Sequence, residues 1–423
     1  MRDMPAIRVD VLVIGQGAAG LFAGISLGKD YSVAVVGNNA SATSLSTGCI
    51  SMISQEAESR SGGRIDLESM AHSVHPFSDI IERSAMNLET LLPEMSQLLF
   101  RALADQGLEM SDDLFHQHPL LTNLGTEYTC SSAPAHTING QLDKMAGSKL
   151  AVLGIVGGLD LDPDLVRLLI DLKRLRLRST SHWATTIKGL KGRRNCGPNE
   201  IAEVFRSEEA IEQLIGTIKE LDEENVMIPP LFSLSNYASG MTALSRRSGR
   251  NVFEAVTPLS LPGLRLQGAM EKAAQAEGCR MLKGRTAVKL QIEDDVVTGA
   301  VLSSRTRRRL YHFNSLIIAT GDVIGGGLAI KGREIVDPFD SLKVATFPPR
   351  SKKIAEPGIA EAVEETGYLV GNDMRLISKD GRTLRNAFGA GAALAGFSFP
   401  TGVGLGGSLL TAYVAAKSVQ EVN

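Results

Sequence analysis

The 423-residue chain has only four cysteines, one tryptophan and 5% aromatic residues. Cys49, Cys130, Cys196 and Cys279 are widely scattered, and no two have metal-ligand spacing. Zinc and iron–sulfur sites within the chain are therefore not expected, and neither is a disulfide framework; a reducing compartment is. No uninterrupted apolar run of about 20 residues exists, so no membrane span is expected. The opening MRDMPAIRVD lacks the apolar core of a signal peptide. With a net charge of −3 there is no general basic face for nucleic acid. The one basic run, Arg305 to Arg309 (RTRRR), reads as a solvated strand or hairpin tip.

A further absence is local. Residues 9–20 read VDVLVIGQGAAG, an apolar strand running into Gly15-x-Gly17-x-x-Gly20 and then a small-residue helix. This strand–turn–helix suits a diphosphate: glycines let backbone approach phosphate, and the helix N-terminus favours negative charge. A dinucleotide site places Asp or Glu roughly 20 residues further on, at the end of the second strand, to hold ribose hydroxyls. Here that strand, YSVAVVGNNA, ends in Gly37, Asn38 and Asn39. The fingerprint is present and its carboxylate is missing.

Two later segments extend the pattern. Leu316 to Gly321 (LIIATG), followed by Asp322, reads as a strand that returns to the same parallel sheet, with Thr320 and Gly321 beside a cofactor. NAFGAGAA then leads through a glycine-rich turn into a last helix near Gly406. Gly391, Gly404, Gly406 and Gly407 there are candidate cofactor contacts, since helix N–H groups stabilise charge on a reduced flavin ring. Ala390-Gly391 stands where many flavoproteins have Gly-Asp, a second missing carboxylate. A nicotinamide-only enzyme would not need this C-terminal pair. The hydroxyl-rich loop with Ser46, Thr47 and Gly48 suits contact with an isoalloxazine.

Between these segments the pattern predicts a helical stretch over 64–107 and a strand–turn–helix from LAVLGIV through Gly157-Gly158 to Pro163–Lys173. A strand is expected over 175–190, a charge-rich helix over 199–221, and a strand VMIPPLFSL broken by Pro229-Pro230. A helix ending at Gly278 and four short strands (CRMLKG, AVKLQIEDD, VVTGAVLSS, RRRLYHF) then precede SLIIATGD. The expected architecture is α/β: a Rossmann-like FAD/NAD(P)-binding fold. Residues 1–149 plus 256–423 form a discontinuous flavin domain, and 150–255 form an inserted α/β domain.

The chain resembles the family of B subunits of anaerobic glycerol-3-phosphate dehydrogenase. The resemblance runs nearly end to end, through VLVIGQGAAGL, LSTGCISMIS, HPFSDI, LGTEYTCSSAP, TPLSLPGLRLQ, ATGDVIGGGL with REIVDPFDSL, and NAFGAGAALAGFSFP. It implies a fumarate-reductase-like flavoprotein and oxidation of sn-glycerol 3-phosphate to dihydroxyacetone phosphate with electrons passed to quinone. The partners it implies are a separate catalytic FAD subunit, plus an iron–sulfur subunit that anchors the complex to the membrane. This chain would then lie in the cytoplasm against the inner face of the membrane. FMN is the cofactor the resemblance implies for this chain, with FAD as the alternative. FMN has no adenosine ribose, which agrees with the gap at Gly37.

Hydride transfer to a flavin needs a base at the substrate hydroxyl and cations for the phosphate. His75, His118, His136, Arg265 and Arg333 are the candidates if substrate binds here. Their bland readings are turn residues for His75 and His118, pairing with a surface acid for Arg265, and a structural role beside Glu334 and Asp337 for Arg333. No spacing singles out a base, so the simpler expectation is an electron relay from a catalytic partner. A self-sufficient FAD oxidoreductase and a structural subunit with a vestigial flavin site are the alternatives.

Overall fold

The protein is described by a computed structural model covering residues 6–38, 41–52, 88–111, 114–332, 334–346, 365–371, 373–397 and 404–422. Contacts divide the chain into two compact units. The first comprises Met1–Ala42, Ser51–Ala102 and Met270–Asn423, and the second Thr43–Ile50 and Leu103–Ala269.

The first unit is built on a six-stranded sheet. Its strands lie in the order Arg280–Lys283, Val33–Gly37, Val11–Ile14, Ser315–Ile318, Thr383–Gly389, Arg375–Ile377. All neighbours are parallel except the last pair. Val11–Ile14 and Ser315–Ile318 are buried throughout, as central strands covered on both faces require. The helix Ala18–Leu27 follows the first of these strands, and its small residues let it pack closely. Gly24 has little room for a larger side chain, since an added Cβ would lie 3.2 Å from both Cys279 Sγ and Val35 Cγ2. Phe22 on this helix stacks on Tyr413 of the C-terminal helix Gly404–Val422, with ring centroids 6.0 Å apart. Cys279 donates its thiol to Gly24 O at 3.2 Å.

A four-stranded sheet in the order Ala6–Arg8, Arg308–His312, Val296–Ser303, Thr286–Glu293 completes this unit's core. Arg305, Arg307 and Arg308 are exposed at the tip joining two of its strands, as the solvated-hairpin reading expects. The REIVDPFDSL segment is tied by Asp337. Its carboxylate accepts hydrogen bonds from Phe339 N, Ser341 N, Leu342 N and the Tyr368 hydroxyl at 2.8–3.0 Å.

The second unit holds a four-stranded parallel sheet in the order Ser179–Thr185, Lys149–Ile155, Asn225–Ile228, Asn251–Glu254. Asp162 caps the helix Pro163–Lys173 by accepting from Asp164 N and Leu165 N, both at 3.1 Å. Two short helices, Pro198–Val204 and Glu208–Lys219, replace the single one expected over 199–221. Phe205 ends the first, and the second starts after Ser207. The unit reaches beyond 150–255 because Leu121 and Met145 share one core with Val152, Ile170, Met227 and Phe253. Each such fully buried aliphatic or aromatic side chain contributes about 1.5–3 kcal/mol. Among the described residues, no helix is long and apolar enough to cross a membrane, and no His/Cys/Asp/Glu group has the arrangement to hold a metal ion.

Candidate functional site

In the first unit three chain segments converge at the carboxyl ends of neighbouring parallel strands. Gly15 follows Ile14, Ala319 follows Ile318, and Ala390 follows Gly389. Ala319 N donates to Ile14 O at 2.8 Å, and Ala390 N to Ile318 O at 2.9 Å, so the three turns are stitched together. From Val11–Ile14 the chain crosses to the strand on one side, Val33–Gly37, while Ser315–Ile318 lies on the other. This is the switch point at which α/β sheets bind ligands.

The fingerprint glycines divide by cause. Gly15 has φ +131°, and an added Cβ would lie 2.0 Å from Ala319 O. At Gly20 a Cβ would lie 2.0 Å from Gly15 O. Both are demanded by the fold itself. Gly17, with φ −83° and ψ −176°, is ordinary extended backbone capping the helix without a side chain. The first turn of that helix carries no acidic residue, which leaves its positive end for an anion.

Just past Ala319, two buried polar atoms have no hydrogen-bond partner among the described residues: Thr320 Oγ1 and Asp322 Oδ2. Asp322 Oδ1 accepts from Gly325 N at 2.6 Å, so one oxygen caps the turn and the other is unsatisfied. Burial pushes this carboxyl above the usual range. Gly321, at φ +81°, permits the turn. Gly391 has φ +69°, and its N–H is already taken by Thr411 Oγ1 at 2.9 Å. Gly406 is packed on its own chain, since a Cβ there would lie 2.1 Å from Ser51 O. Gly404 and Gly407 lie in the first turn of the C-terminal helix.

Ser46, Thr47 and Gly48 cluster with the second unit. There Ser46 Oγ donates to Thr43 O at 2.7 Å and accepts from Gly48 N at 3.2 Å, while Thr47 Oγ1 accepts from Cys49 N at 3.3 Å. These hydroxyls shape their own loop.

The candidates His136 and Arg265 come together in the second unit, beside residues that spacing did not reveal. Arg265 is 1% exposed and ion-paired with Glu254, also 1% exposed. It donates to Phe232 O at 3.0 Å and lies over the Tyr237 ring at 3.9 Å. His136 meets the same ring edge-on at 5.6 Å. Among the described residues, the buried Arg265 Nε, Glu254 Oε1 and His136 Nδ1 have no hydrogen-bond partner. Burial raises the Glu254 carboxyl above its ordinary range despite Arg265. Burial also lowers His136, opposed by Glu109 and aided by Arg265, so the ring favours its neutral form. Arg265 also forms part of the wall of a cavity of about 260 Å³ lined by Asn199, Ser233 and Leu261. The surface ion pair expected for Arg265 is thus corrected to a buried one. His118 is not a turn residue either: it opens the strand His118–Leu121. His75 and Arg333 lie outside the described residues.

Residues 10–336 match the FAD binding domain family. The chain belongs to that family. Its α/β architecture is the family's flavin-binding fold; the helix start after Gly17, with no acid in its first turn, fits an anionic group, and the Thr320 hydroxyl next to the Gly15 turn fits a polar one. The family's description carries FAD rather than the FMN expected at the sequence level. The chain is also similar over nearly its whole length to proteins named as the B subunit of anaerobic glycerol-3-phosphate dehydrogenase. One, from Yersinia pestis bv. Antiqua (strain Antiqua), is 25% identical, with 98% of each chain covered. Another, from Pectobacterium atrosepticum, is 26% identical, with 99% of this chain and 100% of the other covered. A solved flavocytochrome c3 fumarate reductase aligns with 99% of this chain and 79% of its own at 10% identity and a TM-score of 0.45.

Proposed function

We propose that this family member is the flavin-bearing B subunit of an anaerobic glycerol-3-phosphate dehydrogenase. In this reading it passes electrons from a catalytic FAD subunit toward an iron–sulfur subunit, which feeds the quinone pool. The observation that carries the reading is the end-to-end similarity to proteins of that name. A flavin bound at the Gly15 turn would supply reversible electron acceptance. The chain's own residues do the holding: the helix start after Gly17 faces the phosphate, and Thr320 and Asp322 offer a hydroxyl and a carboxyl to the cofactor. FMN is the cofactor of this reading because no acid ends the second strand, and FAD is the alternative that the family description favours. The complex would sit at the inner face of the cell membrane through its partners.

A second reading has a specific support. Arg265 and neutral His136 supply a cation and a base within one buried cluster, which is what oxidation of a hydroxylated phosphate ester on this chain would need. Turnover separates the two. The purified chain, loaded with flavin, is given sn-glycerol 3-phosphate and an artificial acceptor, first alone and then with its catalytic and iron–sulfur partners added. The relay reading expects activity only in the mixture. Turnover by the chain alone selects the second reading, and a chain that binds no flavin overturns both.

A further inference from the structure

The second strand, Val33–Gly37, is regular, and Gly37 does not have a positive φ. Glycine weakens a strand, and its presence there marks a close approach by another group. That group is Gln16, the residue between the first two fingerprint glycines. A Cβ built on Gly37 would lie 2.6 Å from Gln16 Cγ, 2.7 Å from its Cδ and 2.8 Å from its Cβ. The glutamine is held in this position, with Nε2 donating to Val35 O at 3.2 Å. Gln16 therefore occupies the space from which the side chain of residue 37 would project. In dinucleotide sites that side chain is the carboxylate that holds the adenosine ribose. The two residues exclude each other: an acid at 37 and glutamine in this position at 16 cannot coexist.

The geometry points to Gln16 as the residue that sets cofactor length, closing the ribose position and restricting the site to a flavin mononucleotide. This rests on the flavin reading above. The turn that receives the first phosphate is retained, because Gly15 and Gly20 keep their close-packed form. What is lost is the grip beyond it. The role assigned to Gln16 is that of a specificity residue, with no part in electron transfer.

The test is equilibrium binding of FMN and of FAD to the full-length apoprotein, followed by flavin fluorescence. FMN is expected to bind at least about tenfold more tightly than FAD, a difference of about 1.4 kcal/mol. In Gln16→Ala the FMN affinity should hold while FAD tightens, so that the ratio falls toward one. The double variant Gln16→Ala with Gly37→Glu restores the acid and should reverse the preference. Because the readout is a ratio on one protein sample, general destabilisation cancels. Far-UV circular dichroism of each variant checks that it is folded, and Gln16→Ser replaces any that is not. Wild-type protein that prefers FAD, or a ratio unmoved in Gln16→Ala, overturns the assignment and leaves the flavin reading standing. Failure to bind either flavin removes the flavin reading and this assignment together.

Discussion

At the Gly15 turn the backbone is the working surface and side chains have been pared away. Around Arg265 the side chains work and the backbone only carries them. The turn itself is made by residues close in sequence, and backbone carbonyls, of Ala319 at Gly15 and of Gly15 at Gly20, leave no space for a methyl group. The cluster draws His136, Tyr237, Glu254 and Arg265 from four separate segments and leaves three of their buried polar atoms unsatisfied, besides the Tyr237 hydroxyl. The first arrangement tolerates no added atom. The second tolerates no removed charge, because each half of a buried ion pair neutralises the other.

Substitution should expose that contrast. The largest effect is expected at the turn. Gly15→Ala combines backbone strain of about 1–3 kcal/mol with overpacking of about 1–3 kcal/mol, both at the upper end against a backbone carbonyl. Chemical denaturation should show a loss approaching about 6 kcal/mol, or no folded protein at all. Gly17→Ala should keep the fold, since its backbone is ordinary extended chain, and should lose flavin affinity at the helix start that the flavin reading assigns to the phosphate. Equal stability loss in the two variants would break the division between glycines that serve packing and glycines that serve the cofactor.

Next in size is Arg265→Met, which strands Glu254 in the interior. A loss of about 3–5 kcal/mol is expected, and adding Glu254→Gln should recover part of it. If the single variant unfolds at the wild-type denaturant midpoint, the buried pair is not holding the second unit together.

A smaller effect separates the cluster by pH. His136 titrates in the fold below its ordinary 6.5, so its contribution is present above about 6.5 and lost as pH falls through the lowered value. The raised carboxyl of Glu254 acts oppositely: its contribution is full below the ordinary carboxyl range and declines as pH rises. His136→Gln should therefore flatten the fall in stability between pH of about 7 and 5. Parallel pH profiles for wild type and variant would show that His136 carries none of it.

The smallest effect lies away from both regions. Asp162→Ala removes a helix cap and should cost about 1 kcal/mol. Flavin affinity should not change, which makes it the control for the other variants.

The sequence was most legible where a signal is local. The fingerprint strand and helix, the return of LIIATG beside it and the helix Pro163–Lys173 all lie where periodicity and turn residues place them. The glycine at 37 was legible as a missing acid, but its cause was not, since nothing in spacing shows Gln16 folding back across it. The Arg265 cluster was legible only as residue types. Glu254 and Tyr237 carried no signal, because their roles come from burial beside Arg265, which the fold and not any motif spacing brings about. The hydroxyl loop was read for its chemistry, and spacing did not show that Ser46 and Thr47, half-buried, also hydrogen-bond their own loop backbone.

Cys279 offers a use unrelated to chemistry on any substrate. Burial and nearby Glu277 push its thiol up to about 12, and all four cysteines are buried. The native protein should thus be silent to alkylating reagents. Its sulfur reports on one event, the parting of the Gly24 helix from the strand beginning at Arg280. The rate at which Cys279 becomes labelled is a clock for that opening, already installed in the wild-type chain.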